Sequence, residues 1–251
     1  MFYQLELITP QGEKINLIND GGPGPIAVEA GTIEGLTGVF EDSPVETVGA
    51  SGQSVDFRDR KIKPITGALG VVVQDPDYWH SFRKAFSVWE YSMLILSLPN
   101  ARYRLPVRLE SSFAFPASIP KRGDRVTVPV ISDEPGAWLL SIDGQDTVTV
   151  TNYGDVPVWP KIVWEGAGGQ VSLPSGAIFT LPEVSELHEL SLSRKNSGFV
   201  RDKNGAVDRA LTKRVGAVGE GVPRGQERTY QLPEGARLLW DVGLLDPFRE
   251  V

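Results

Sequence analysis

Beyond about residue 135 the chain alternates apolar and polar residues with a period of two and is punctuated by turn residues every few positions. That pattern admits β-strands and little else. The segments TVTVTN (147–152), VWPKIVWEG (158–166), GQVSLPS (169–175), AIFTLPE (177–183), ELHELSLS (186–193), ERTYQLPE (227–234) and ARLLWDV (236–242) each read as one strand. Short strands at such close spacing predict a β-sandwich or jelly roll.

The first half is less uniform. Tyr3, Leu5 and Leu7 alternate with Gln4 and Glu6, Pro10-Gln11-Gly12 marks a turn, and Ile15 and Leu17 resume the alternation. Glycine and proline then exclude a helix through GGPGPIAVEAGTIEGLTG (21–38). Residues 20–52 are expected to form a long irregular excursion, either an arm used in binding or assembly or a plain surface flap. Strands return within residues 54–74. From 78 to 89 the period changes, and Trp79, Phe82, Ala85, Phe86 and Trp89 fall on one helical face. Asp75 and Pro76 suit the N-cap and the first helical position. The segment MLILSLP (93–99) and residues 102–115 read as paired strands turning at Pro99-Asn100, and RVTVPVI (125–131) reads as another. Turn residues between 116 and 135 place a boundary there. The chain is thus expected to be mainly β, with a β-rich α+β domain holding one helix at 1–131 and a β-sandwich at 132–251.

Composition narrows the function. The absence of cysteine excludes a disulfide scaffold, a cysteine-ligated zinc and a thiol nucleophile. A net charge of −7 argues against a dedicated nucleic-acid binder. The start MFYQLELITP has no secretion-signal pattern, and no apolar run approaches the roughly 20 residues that span a bilayer. A soluble chain made in a cytoplasm is expected.

No catalytic, cofactor-binding or metal-binding residue emerges. His80 and His188 are the only histidines; the first lies on the aromatic helix, the second on a strand in Glu186-Leu187-His188-Glu189. One possible ligand is too few for a metal site, and HExxH spacing is absent. Asp75 and Asp77 are explained by capping. Gly22-Pro23-Gly24 with Ala27 lacks the helix that would hold a pyrophosphate. Arg122-Gly123-Asp124 reads as a turn into a strand.

Two features stand out. Residues 194–228 carry Arg194, Lys195, Arg201, Lys203, Arg209, Lys213, Arg214, Arg224 and Arg228 with weak periodicity. This is a long loop or hairpin, either docking an acidic partner or simply solvated. Trp138, Trp159, Trp164 and Trp240 form the second. They either fill the sandwich core or offer a platform for sugar rings, and alternation cannot put Trp159 and Trp164 on one face.

The order of parts resembles the distal tail proteins of siphophages that infect Gram-positive bacteria. The likeness is sharpest at Thr151-Asn152-Tyr153-Gly154-Asp155-Val156-Pro157-Val158-Trp159-Pro160-Lys161-Ile162, similar to the opening of that family's galectin-like C-terminal domain. Leu232-Pro233-Glu234-Gly235-Ala236-Arg237-Leu238-Leu239 resembles its late proline–glycine turn. The resemblance implies an N-terminal ring-forming domain and a galectin-like β-sandwich in a virion tail tip, made in the host cytoplasm. It implies a non-enzymatic, homo-hexameric hub with no cofactor, joining the tail tube to the adsorption device. Expected partners are the chain itself and tail-tube, tape-measure and tail-tip proteins, with no membrane and with DNA only in transit through the lumen. The alternative is a carbohydrate-binding module that recognises host cell-wall glycans.

Overall fold

The computed structural model describes residues 3–249 apart from 20, 47, 50, 114–117 and 197. It contains two compact units, Met1–Leu139 with Leu244–Val251, and Leu140–Gly243. The expected strand end at 115 and the start of the expected boundary at 116 lie outside the described residues.

In the first unit β1 (Gln4–Ile8) and β2 (Lys14–Ile18) form the expected hairpin. The Gly12 N–H donates to the Thr9 carbonyl at 2.9 Å, and Leu5, Leu7, Ile15 and Leu17 are buried. The segment expected to be an irregular excursion over 20–52 is instead strand over much of its length. Its middle is β3 (Ile26–Gly35), the longest strand, followed by β4 (Val39–Glu41), β5 (Val45–Glu46), β6 (Gln53–Ser54), β7 (Lys61–Lys63) and β8 (Ile65–Val73). β3 pairs with β8 but shifts register between Val28 and Ile33. The Thr32 hydroxyl lies 2.7 Å from the Glu29 carbonyl and 2.8 Å from that of Gly70, bridging the irregularity. A Cβ on Gly70 would stand 2.4 Å from Thr32 Cβ, so only glycine fits. This strand ends its sheet and carries polar residues in a bulged register, which conceals the alternation.

The helix is shorter than its aromatic pattern. Asp75 caps as expected, accepting from the Asp77 N–H at 3.0 Å, but it opens a 3₁₀ turn, Pro76–Tyr78. The α-helix α1 (Trp79–Lys84) follows. Trp79, Phe82, Ala85 and Phe86 are buried, while Trp89 is 89% exposed, contrary to the expected stripe. The Ser87 hydroxyl accepts from the Trp89 and Glu90 N–H groups at 2.9 and 3.3 Å. That local turn takes over from the helical ladder. Phe82 and Phe86 meet edge-on at 5.4 Å, and Phe113 packs 6.0 Å from Trp79.

β9 (Ser92–Ser97), β10 (Arg102–Leu109), β11 (Arg125–Ser132) and β12 (Trp138–Gln145) complete the first unit and lead out of it. β10 pairs with β9 along Arg102–Val107 and with β11 at Arg108 and Leu109, so it passes from one sheet to the other. One sheet runs β2-β1-β9-β10 and the other β10-β11-β8-β3.

The second unit is the expected sandwich. Its strands are β13 (Thr147–Thr151), β14 (Lys161–Gly166), β15 (Gly169–Ser172), β16 (Ile178–Leu181), β17 (Val184–Ser191) and β18 (Val200–Asp202). They are followed by α2 (Arg209–Val215), β19 (Glu227–Gln231) and β20 (Arg237–Leu244). One sheet runs β13-β19-β15-β16 and the other β18-β17-β14-β20-β12. Val148, Val150, Val171 and Tyr230 from the first enclose one core with Ile162, Trp164, Leu190 and Leu238 from the second. The basic stretch 194–228 is not a continuous loop. Asp208 caps α2 by accepting from the Leu211 N–H at 2.8 Å, and Gly216 ends it at φ 55°.

The motifs of the family resemblance have structural reasons. Buried Asn152 donates from Nδ2 to the Val156 and Val222 carbonyls at 3.0 and 2.9 Å and accepts from the Gly154 N–H at 3.0 Å. A Cβ on Gly154 would come within 2.6 Å of the Gly243 carbonyl. The asparagine closes its own turn and ties it to the segment at Val222, and the glycine lets the strand at Gly243 pass.

Candidate assembly surface

Between β3 and β8 the chain forms a nested arm. β4 pairs with β7, and β5 pairs with β6 beyond it. None of the described residues 39–63 is buried. Val39, Phe40, Val45, Val48 and Phe57 are each at least 47% exposed. An isolated two-stranded ribbon is marginal in water, so this arm is held by polar and cation–π contacts rather than a core. Arg60 grips Asp42 with two hydrogen bonds, Nε to Oδ1 at 2.6 Å and Nη2 to Oδ2 at 2.8 Å. Its guanidinium also lies 3.9 Å from the Phe40 ring centroid and 4.9 Å from that of Phe57. Lys63 pairs with Glu41, and Arg58 with Asp56.

The root of the arm is fixed by backbone. Leu36 is buried although its φ is 59°, an uncommon conformation for a non-glycine residue. Its carbonyl accepts from Trp138 Nε1 at 2.7 Å. At Gly38 the N–H donates to the Leu245 carbonyl at 2.7 Å, and a Cβ there would lie 2.8 Å from Leu245 Cα. Any larger residue at 38 displaces the tail or the arm.

These ion pairs give the arm an acid limit. Hydrogen bonds from the Arg58 side chain, then from its backbone N–H, pull Asp56 down to about 2. Arg60 holds Asp42 below its ordinary 3.8, and Lys63 holds Glu41 below 4.5. Carboxylates depressed in the folded state stabilise above their unfolded pKa and lose that contribution as pH falls through the folded value. The arm contacts are therefore expected to persist at pH 5 and to dissolve between about pH 4 and pH 2. The Nε–H resonances of Arg58 and Arg60 report this directly; a transition centred above pH 4.5 contradicts it.

A second exposed apolar group, Val88, Trp89 and Tyr91, follows α1. It is anchored where Arg108 grips Asp133 bidentately at 2.7 and 2.9 Å and the Tyr91 hydroxyl donates to Asp133 Oδ2 at 2.6 Å. The hydrogen bond to Asp133 raises the Tyr91 pKa and lowers that of Asp133, where Arg108 acts first. Among the described residues β3 pairs only with β8 and β2 only with β1, so each ends its sheet.

The residues considered for chemistry lie apart. His80 is exposed on α1. His188 is buried on β17, its Nδ1 2.8 Å from the Glu186 carbonyl and its ring 5.7 Å from Trp164. Among the described residues no group of three or more His, Asp or Glu is placed to hold a metal, and no helix is long and apolar enough to cross a membrane. Arg122-Gly123-Asp124 is a turn, with Lys121 N–H donating to Asp124 Oδ2 at 2.8 Å. Of the four tryptophans, Trp138, Trp164 and Trp240 are buried and Trp159 is 37% exposed, so the opposite parity of 159 and 164 holds. The Arg60 cluster escaped the sequence reading, because its partners are separated along the chain and none is buried.

No protein-family model matches the chain, and no curated protein matches it. Solved structures do. The Dit (gp 19.1) protein of phage SPP1, a paradigm of the hub adsorption apparatus in Gram-positive-infecting phages, aligns over 96% of this chain and 99% of its own, at TM-score 0.58 and 9% identity. A chain of the phage P2 baseplate in its activated conformation with Ca aligns over 96% and 98%, also at 0.58 and 9%. The corresponding baseplate with Sr gives 0.56 and 8%, with the same coverage. Over nearly its whole length, this mainly β chain has the fold of the Dit hub protein.

Proposed function

We propose that this chain is a structural, non-enzymatic subunit of a phage tail tip, forming a homo-hexameric ring that joins the tail tube to the host-adsorption device. The observation that carries the reading is the arm 39–63, which presents five large apolar side chains and has no core of its own. A ring repeats one heterologous interface until rotation closes it. The arm supplies one half of such an interface, and the one-sided strands β2 and β3 supply edges for the other. Likeness of fold to a phage hub protein supports the setting. In this reading the first unit makes the ring, tail-tube, tape-measure and tail-tip proteins bind it in the virion, and DNA meets it only while passing through the lumen. Synthesis takes place in the host cytoplasm.

Size-exclusion chromatography with light scattering tests the proposal. A particle near six times 27.4 kDa is expected. A chain that stays monomeric at high concentration, both alone and with tail-tube protein, overturns it.

A further inference from the structure

The second unit carries a built cleft that ring formation does not use. Trp159 lies just before β14, and Gly219-Glu220-Gly221 runs beside it. A Cβ on Gly221 would stand 2.8 Å from Trp159 Cε3 and 3.0 Å from Cδ2, so the backbone there lies against the indole. A Cβ on Gly219 would stand 3.2 Å from both Cα and Cγ of Arg194. Position 221 admits only glycine, and at 219 a side chain would press on Arg194. Val158 and Val222 exchange backbone hydrogen bonds at 3.0 and 2.8 Å, which fixes the tryptophan beside the segment.

Glu220, between the two glycines, is 7% exposed. Its Oε1 accepts from Arg228 Nη1 at 3.1 Å, and its Oε2 from the Ser175 hydroxyl at 2.6 Å and the Ser175 N–H at 3.3 Å. The Glu220 carbonyl accepts from the buried Tyr230 hydroxyl at 3.3 Å. Two hollows meet at Glu220 and Arg228. One, of about 220 Å³, is bordered by Trp159 and Arg194; the other, of about 470 Å³, by Ser175, Glu227 and Thr229. The first has room for one small ring, with one aromatic surface and a few fixed polar groups in its wall.

We infer that this cleft binds a neutral pyranose ring of a glycan, stacked on Trp159, with its hydroxyls on Glu220 and Arg228. A pyranose offers an apolar C–H face to an indole and hydroxyls that both donate and accept. Glu220 and Arg228 offer the complementary acceptor and donor, already oriented by each other and by Ser175. The lining is electrically balanced, Glu220 and Glu227 against Arg194 and Arg228, so it offers no uncompensated charge for an ionic ligand to neutralise.

The intact chain is screened on an array of neutral and anionic oligosaccharides, and the strongest ligand is titrated by calorimetry. A neutral glycan is expected to bind, with affinity lost at least tenfold in Trp159→Ala and largely kept in Trp159→Phe. In the unmodified chain the sugar is expected to shift the indole N–H resonance of Trp159 and of no other tryptophan, which decides the matter should Trp159→Ala fold poorly. Binding of no glycan, of anionic glycans alone, or without change in Trp159 overturns the inference. Light scattering on the same samples reads the ring independently, so the two failures are distinguishable.

Discussion

Replacing Val45, Val48 and Phe57 together by serine is expected to leave the melting temperature within about 2 °C of the parent and to turn the proposed ring into monomers. The first half follows from exposure: Val45 and Val48 stand in solvent, and Phe57, 69% exposed, gives up only its cation–π contact with Arg60, which keeps Asp42 and Phe40. The second half follows from what a neighbour would cover. Burying such side chains fully is worth about 1.5–3 kcal/mol each, or about 5–9 kcal/mol for the three at every interface. That is more than a thousandfold in the association constant, repeated around the ring. Light scattering beside a thermal melt measures both. A variant that still assembles removes the arm from the interface; one that melts early shows that the arm packs on its own subunit.

Trp164→Ala is expected to cost the second unit about 3–5 kcal/mol. Trp164 is 1% exposed at the centre of the sandwich, and its Nε1 donates to the Pro182 carbonyl at 3.0 Å. Truncation leaves a cavity between the sheets and a buried carbonyl without its donor. For a unit of this size the loss lowers the melting midpoint by at least about 12 °C. Trp159→Ala, the same change on the outer face, is expected to cost about 1 kcal/mol. Calorimetry of the two variants side by side checks the contrast; equal losses would mean that Trp159 is packed as fully as Trp164.

The contrast between these tryptophans shows why much of the second unit was legible in its sequence. A strand half in core and half in water writes its burial into alternate residues, as Ile162 and Trp164 do, and turn chemistry marks its ends. Where the rule is silent, reading failed for physical reasons. β3 sits at a sheet edge and is interrupted by its register shift, so its polar residues looked like loop. α2 was lost among basic residues, although Asp208 before it and Gly216 after it are ordinary start and stop signals. The helical stripe ran on to Trp89 because spacing alone does not register the Ser87 turn. None of the arm's described residues is buried, so neither periodicity nor apolar content could outline it. Its defining contact, Arg60 with Asp42 and Phe40, joins β4 to the start of β7. The cleft at Trp159 was half visible: the tryptophan was singled out, but Glu220 reaches it only through the fold.

The hydrogen bond from Gly38 to Leu245 also sets an order of events during synthesis. The arm leaves the ribosome early, while the carbonyl that secures its root comes only after Leu140–Gly243 has been made. At about 5–20 residues per second the interval from the arm to Leu245 lasts on the order of 10–40 s. For that time a nascent chain displays its sticky arm on a root held by Trp138 but not yet by Leu245, poorly posed for a neighbour on the same messenger. In the proposed assembly, synthesis through Leu245 becomes the condition for docking, and a chain truncated before Leu245 is expected to stay out of the proposed ring although its arm is intact.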